Sequence, residues 1–209
     1  MFRLRLVHSL YHTVKSLHNS EINMSPKSNE KKKYVALLRG INVGGNHKVP
    51  MAELKKEMTK MEFEHVETLL NSGNVIFDAT PAQETELENT IAINLEKAFN
   101  FPIPVLVRDA AVMRDLIQNN PFAQIEVTKD LRLYVSFLKE KPVSNITLPW
   151  ATSDGSFRIL EARDNTICSV LDLAVTQSPK GMDALEQLFG KNMTTRNWNT
   201  ISRIAAKLN

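Results

Sequence analysis

The chain has 209 residues with 43% apolar content, a net charge of +3 and a pI near 8.9. That is enough apolar material for one domain or two small ones packed together, and too little basic excess for a dedicated nucleic-acid binder, which concentrates its charge in a stripe. The single cysteine, Cys168, excludes a disulfide framework and a thiolate metal cluster, and no apolar run approaches the ~18–20 residues that span a bilayer.

The first twenty residues carry Arg3, Arg5 and Lys15, with no acid before Glu21. Leu4, Leu6, Leu10, Val14 and Leu17 are spaced roughly as a helix face. Three readings stay open here. One is a translational extension ahead of a start at Met24. Another is a mitochondrial-type presequence, which is basic, amphipathic and poor in acids. The third is a short amphipathic helix docking on the body or on a membrane surface. Residues 19–33 are polar and lysine-rich, and read as a disordered linker. The expected boundaries are an extension over 1–32, a first subdomain over 33–109 and a second over 110–209.

Residues 34–50, YVALLRGINVGGNHKVP, organise the rest. A continuous apolar run over 34–38 predicts a strand in the middle of its sheet. A glycine-rich loop follows over 39–48, then a helix with Pro50 at its first position, where the missing N–H costs nothing. Gly40, Gly44 and Gly45 permit a positive φ or close backbone approach. Such a strand-loop-helix aims backbone N–H groups at a bound anion, and Arg39, Asn42, His47 and Lys48 add side-chain donors. Neither standard nucleotide cradle fits. Gly40 to Gly45 has P-loop spacing, but Asn46-His47 stands where Lys-Ser/Thr is required, and the dinucleotide G-x-G-x-x-G pattern is absent.

Met51, Leu54, Met58 and Met61 form one apolar helix face, which reads as core filling. Strands are expected over 66–70 and 75–77, with Asn71-Ser72-Gly73-Asn74 as the tight turn between them. Thr80-Pro81-Ala82-Gln83 matches a capping box. The helix behind it buries Leu87, Ile91, Leu95 and Phe99, and a fourth strand follows over 105–108. The order βαββαβ suggests a ferredoxin-like unit, a four-stranded antiparallel sheet with two helices on one face.

In the second half, Asp109 caps a helix to 119 with Val112, Met113, Leu116 and Ile117 inward. Residues 131–137 alternate as a half-buried strand. Residues 141–150 are bounded by prolines and ambiguous. A strand pair over 157–161 and 166–171 turns at Arg163-Asp164-Asn165. A short helix carrying Met182, Leu185, Leu188 and Phe189 stops at Gly190. A final helix begins at Thr194 or Thr195, with Trp198, Ile201, Ala205 and Leu208 inside. The fold class is therefore α+β, with two ferredoxin-like (βαββαβ-type) subdomains, the second degraded. The duplication rests on element order alone.

Residues 34–50, with Met51-Ala52-Glu53-Leu54, then Asn71-Ser72-Gly73-Asn74-Val75-Ile76-Phe77 and Thr194-Thr195-Arg196-Asn197-Trp198-Asn199-Thr200, resemble the bacterial domain-of-unknown-function family 1697. The resemblance covers about 33–209. It implies a compact α+β fold in a cytosolic protein and implies no activity. Asn46-His47 departs from the basic or polar pair expected of relatives, which weakens an argument from loop charge.

The leading functional expectation is an anionic small ligand, a nucleotide or phosphorylated metabolite. It would be held by Arg39, Gly40, Asn42, Gly44, Gly45 and Lys48, with Asn71, Ser72 and Arg196 as further candidates. A second expectation is a nucleic-acid-binding module using Lys31 to Lys33 and a helical stripe of Arg196, Arg203 and Lys207. A third is a structural or oligomerisation module in which the loop braces the two subdomains. No metal set, catalytic triad or carboxylate pair is legible, and no cofactor is expected. His47 is a weak acid/base candidate and His65 reads as structural. Cys168 reads as buried and inert. A cytoplasmic location fits, with the presequence reading as the alternative.

Overall fold

The computed structural model describes residues 30–141, 146–176 and 178–208, excluding the side chains of 178–180. The three readings of the N-terminal segment fall outside the described residues. Lys31–Asn209 forms one compact unit.

The first sheet is built from β1 (Lys32–Leu38), β2 (Glu64–Leu69), β3 (Asn74–Ala79) and β4 (Val105–Asp109), in the order β2-β3-β1-β4. Every neighbouring pair is antiparallel. Helix α1 (Met51–Lys60) joins β1 to β2, and α2 (Glu84–Phe99) joins β3 to β4. One face of the sheet, with Tyr34, Ala36 and Phe77, packs against Leu54 and Met58 of α1 and Leu87, Ile91 and Leu95 of α2. Such burial is worth ~1.5–3 kcal/mol per large apolar side chain.

The opposite face is not open to solvent. Val35, Leu37, Ile76 and Leu106 share a core cluster with α3 (Ala110–Asn119), α5 (Trp198–Ala206) and the second sheet. A sheet covered on both faces explains why β1 reads as a continuous apolar run.

The second sheet runs β6 (Trp150–Ala151), β7 (Phe157–Arg163), β8 (Thr166–Asp172), β5 (Leu131–Leu138), β9 (Met193–Asn197), also antiparallel throughout. Its inner face contributes Leu133, Val135, Phe137, Cys168 and Val170 to the shared cluster. Its outer face, including Leu138, Phe157 and Ile167, is covered by Leu185 of α4 (Ser178–Phe189).

Several expectations need correction. Pro50 is the N-cap of α1, and Met51 is the first helical residue. The capping box at Thr80 does not form, and α2 starts at Glu84 with Gln83 as an N-cap lacking a side-chain bond. Tyr34 supplies the reason: its hydroxyl donates to the Ala82 carbonyl and accepts from the Ala82 N–H, each at 3.2 Å, which holds that segment off the helix. Ile117 is 36% exposed and points away from the core. Lys32 and Lys33 belong to β1 and not to a linker, and both are paired, Lys33 with Asp78 at 2.9 Å and Lys32 with Asp109.

The largest correction is at the C-terminus. Met193–Asn197 is a strand, and the helix begins only at Trp198, where Asn197 Oδ1 accepts the Asn199 N–H at 2.9 Å. Two adjacent threonines suit a strand once β5 offers an edge, and Val135 pairs with Arg196 there.

Candidate functional site

The 39–48 loop is a hairpin-like excursion closed at its base by one asparagine. Val43 and Asn46 form an isolated bridge, and the Asn46 N–H donates to the Val43 carbonyl at 3.2 Å. Gly44 and Gly45 turn between them with φ of 60° and 80°, the two positive values a two-residue turn of this hand requires. A Cβ on either would meet no atom within 4 Å. These glycines serve the backbone, and open space surrounds them.

Asn42 sits at φ 56° below the turn. Its Nδ2 donates to the carbonyls of Val49 (3.0 Å) and Asn71 (2.9 Å), and its Oδ1 accepts the Val49 N–H at 2.8 Å. One side chain therefore closes the loop and ties it to the β2–β3 turn. His47 stacks on Phe101 with ring centroids 4.6 Å apart. Arg39 donates to Glu186 Oε1 at 3.1 Å and to the Lys191 carbonyl, so it bridges to α4 and the approach to β9. Lys48 is exposed.

The Asn71-Ser72-Gly73 turn is a junction. The Gly73 carbonyl accepts the Leu38 N–H at 2.8 Å. Gly73 has φ 72°, and a Cβ there would lie 2.7 Å from Leu38 Cβ and 2.8 Å from Ile41 Cδ1. Gly73→Ala therefore combines backbone strain with overpacking. A loss of about 3 kcal/mol is expected in urea denaturation, against about 1–2 kcal/mol for Gly44→Ala, where only the backbone is strained.

Arg196 enters this junction from β9 and is 8% exposed. Its Nε donates to Asn74 Oδ1 at 2.6 Å. One terminal nitrogen donates to Thr194 Oγ1 (2.7 Å) and the Thr195 carbonyl (3.0 Å), and the other to the carbonyls of Leu38 (2.7 Å) and Ser72 (3.2 Å). Burial pushes its pKa down to about 10, which leaves it charged at neutral pH. It forms no ion pair among the described residues. The expected stripe of Arg196, Arg203 and Lys207 does not exist, because Arg196 is an interior strand residue. Lys207 is paired with Glu67 at 2.7 Å.

Arg108 of β4 is the counterpart of Arg196. In the two registers Arg108 pairs with Val35 and Arg196 with Val135. One terminal nitrogen of Arg108 donates to the preceding Val107 carbonyl and the other to the Leu138 carbonyl at the end of β5. Arg196 does the same toward Thr195 and Leu38. Each sheet thus sends an arginine from its edge strand to the end of the other sheet's central strand.

Sequence reading missed this exchange, although a signal exists: Tyr34-Val35-Ala36-Leu37-Leu38 recurs as Tyr134-Val135-Ser136-Phe137-Leu138, with Arg39 and Lys139 next in line. Arg108-Asp109 and Arg196-Asn197 match in the same way, and both second residues cap helices.

Arg108 lies 3.3 Å from Glu84 Oε2 and 3.4 Å from Glu88 Oε1. Glu88 Oε1 accepts the Val107 N–H at 3.0 Å, and Glu84 Oε1 the Asp109 N–H at 2.9 Å. These glutamates, one turn apart on α2, stopper the free edge of β4. Burial raises the Glu88 carboxyl above the usual carboxylate range, opposed by the Val107 N–H and Arg108.

A cleft of about 470 Å³ opens between α3 and the β7–β8 hairpin. Val112, Leu116 and Cys168 line it, with Arg108 and Asn165. Burial pushes the Cys168 thiol up to about 12, so it is protonated at neutral pH. Among the described residues no three metal-ligating side chains gather, and no helix is long and apolar enough to cross a membrane.

The structure brings Asn42, Asn71, Ser72 and Arg196 together and adds Asn74, which sequence reading left in the turn. It sends Arg39 to α4 and leaves Gly44, Gly45 and Lys48 in solvent.

Two antiparallel sheets, with helices packed outside and between them, define an α+β protein. Residues 31–163 match the family described as protein of unknown function, DUF1697, and the chain belongs to that family. No curated protein matches it. Among solved structures it is similar to the conserved bacterial protein SP0830 from Streptococcus pneumoniae, at 21% identity and a TM-score of 0.63, over 86% of this chain and 99% of that one. At that identity the likeness concerns the fold.

Proposed function

We propose that this chain is a small-molecule-binding module whose ligand occupies the cleft between α3 and the β7–β8 hairpin, and that the 39–48 loop is a bracket. The carrying observation is the cleft itself, a concavity of about 470 Å³ in which Val112, Leu116, Pro121 and Cys168 are joined by charged and amide side chains, within the size range of ligand sites. Glu84, Asp115, Glu161 and Asp164 line it together with Arg108, Lys141 and Arg163, and Glu84 is paired with Arg108 and Glu161 with Arg163. Four acids against three cations repel a polyanion such as a nucleotide and suit a neutral or zwitterionic organic molecule.

The anion reading of the loop has less support. Arg39 is engaged by Glu186 and Asn42 by the backbone, and Lys48 has no ion pair among the described residues. The nucleic-acid reading loses Arg196 to the interior. We read the two sheets as two ferredoxin-like subdomains over 33–109 and 110–209. The parallel orders β2-β3-β1-β4 and β7-β8-β5-β9 support this, with β6 between β5 and β7 in chain order. A cytoplasmic location fits one buried, protonated thiol.

The test is ligand-observed NMR with a fragment library on three proteins: wild type, Asn119→Trp, which fills the cleft rim, and Arg39→Ala. Fragments that bind wild type and Arg39→Ala but not Asn119→Trp are the expected result. Fragments lost in Arg39→Ala and retained in Asn119→Trp would return the site to the loop.

A further inference from the structure

A second cavity, of about 190 Å³, lies where β1 and β5 end. Arg39 and Lys139, the residues that follow those strands, line it, with Glu88 and Asn89 of α2 and Asn192 beside β9. It shares no wall residue with the larger cleft.

Its charges are graded by depth. The Glu88 side chain is 3% exposed, while Arg39 is 40% exposed and Lys139 is exposed. Glu88 Oε1 is occupied by Val107 and Arg108, but Oε2 accepts no hydrogen bond from any described residue. A buried carboxylate oxygen without a donor is costly and calls for one, best a cationic one. Lys139 forms no ion pair among the described residues, so its ammonium is available to an anion. The cavity is smaller than the ~300–1,000 Å³ of drug-sized sites, which selects a ligand of few heavy atoms.

We propose that this cavity binds a small α-amino acid as its zwitterion, the ammonium group against Glu88 and the carboxylate at Lys139. Both groups are needed. A simple amine brings a cation past Lys139 with nothing to offset it, and a simple carboxylate approaches Glu88. Only a molecule carrying both charges a few bonds apart matches the wall at each end. The raised carboxyl of Glu88 agrees with this, because an ammonium beside it relieves the cost of burial.

The experiment titrates the isotope-labelled full chain with glycine, L-alanine, methylamine and acetate, and follows backbone amides by NMR. Glycine and alanine are expected to give saturable shifts at Ala92, Leu106 and Asn192, and methylamine and acetate none. Lys139→Ser should weaken binding by about tenfold, the loss of one charge-assisted contact, without lowering the melting temperature. Glu88→Gln keeps an acceptor for the Val107 N–H and should weaken it similarly. If that variant does not fold, Lys139→Ser decides alone.

No saturable shift with either amino acid overturns the proposal. So does acetate binding as well as glycine, or Lys139→Ser binding as wild type does. Asn119→Trp separates this cavity from the larger cleft. Glycine shifts that survive it belong here, and shifts that vanish with it place the ligand in the cleft and overturn this inference.

Discussion

Arg196→Ala is expected to cost about 4 kcal/mol of folding stability, the range seen when a buried charged hydrogen-bonding group is removed. The guanidinium serves five acceptors, at Asn74, Thr194, Thr195, Leu38 and Ser72. Truncation removes their common donor, and each buried acceptor left unpaired costs ~1–3 kcal/mol. Some will reach water through the Asn71-Ser72 side, which is exposed, so the full sum is not reached. In a unit of this size the loss corresponds to a fall of about 10 °C in melting temperature. Arg196→Lys keeps the charge but not the planar fork, and should recover less than half. Urea denaturation followed by circular dichroism measures both. A loss below ~1 kcal/mol would mean that water replaces the arginine at every acceptor, and that it does not strap the sheets together.

Arg108→Ala should cost a similar amount, about 3–5 kcal/mol at pH 8, and the cost should depend on pH. The substitution strands Glu88, a buried carboxylate whose other supports are the Val107 N–H and the more distant charge of Lys139. Burial already raises the Glu88 carboxyl above its unfolded value, and loss of Arg108 raises it further. A carboxyl with a raised folded pKa contributes its stability below the unfolded value and loses it as pH rises through the folded pKa. The variant is therefore expected to lie closer to wild type at pH 5 than at pH 8. Equal deficits at the two pH values in urea melts would show that Lys139 has moved in to neutralise Glu88, and that Arg108 is not its essential partner.

The two arginines also mark the line between what sequence could and could not reveal. Local signals were dependable where a residue's partners are near in the chain. Asp109 caps α3 through Ala111, two residues on, and Gly190 ends α4 with φ 80° and an N–H bonded to Glu186. The alternation over 131–137 and the apolar run over 34–38 gave β5 and β1 because side-chain period follows from strand geometry alone. The turn chemistry of the glycine loop is equally local, since it follows from Gly44 and Gly45.

Where partners are distant, local reading failed. Residues 193–197 look like the entry to a helix, and they become a strand only because β5 presents a free edge some sixty residues earlier in the chain. Propensity is a weak prior, and a sheet edge outweighs it. Arg196 reads as a surface cation until β9 turns it inward against Asn74 and Leu38, more than a hundred residues away. Glu88 reads as one more helical acid until β4 lays the Val107 N–H against it.

Sequence by itself determined the α+β class, most of the strands and helices, and the presence of a structured glycine loop. These depend on period, capping and turn chemistry within a few residues. Tertiary structure alone decided that both faces of the first sheet are buried, that Arg39 and Asn42 of the loop are spent on internal bonds, and that the larger cleft lies elsewhere. The physical reason is that a polar side chain bonds whatever group packing places beside it. For Arg39, Arg108 and Arg196 that group belongs to a segment distant in the chain, beyond the reach of any local pattern.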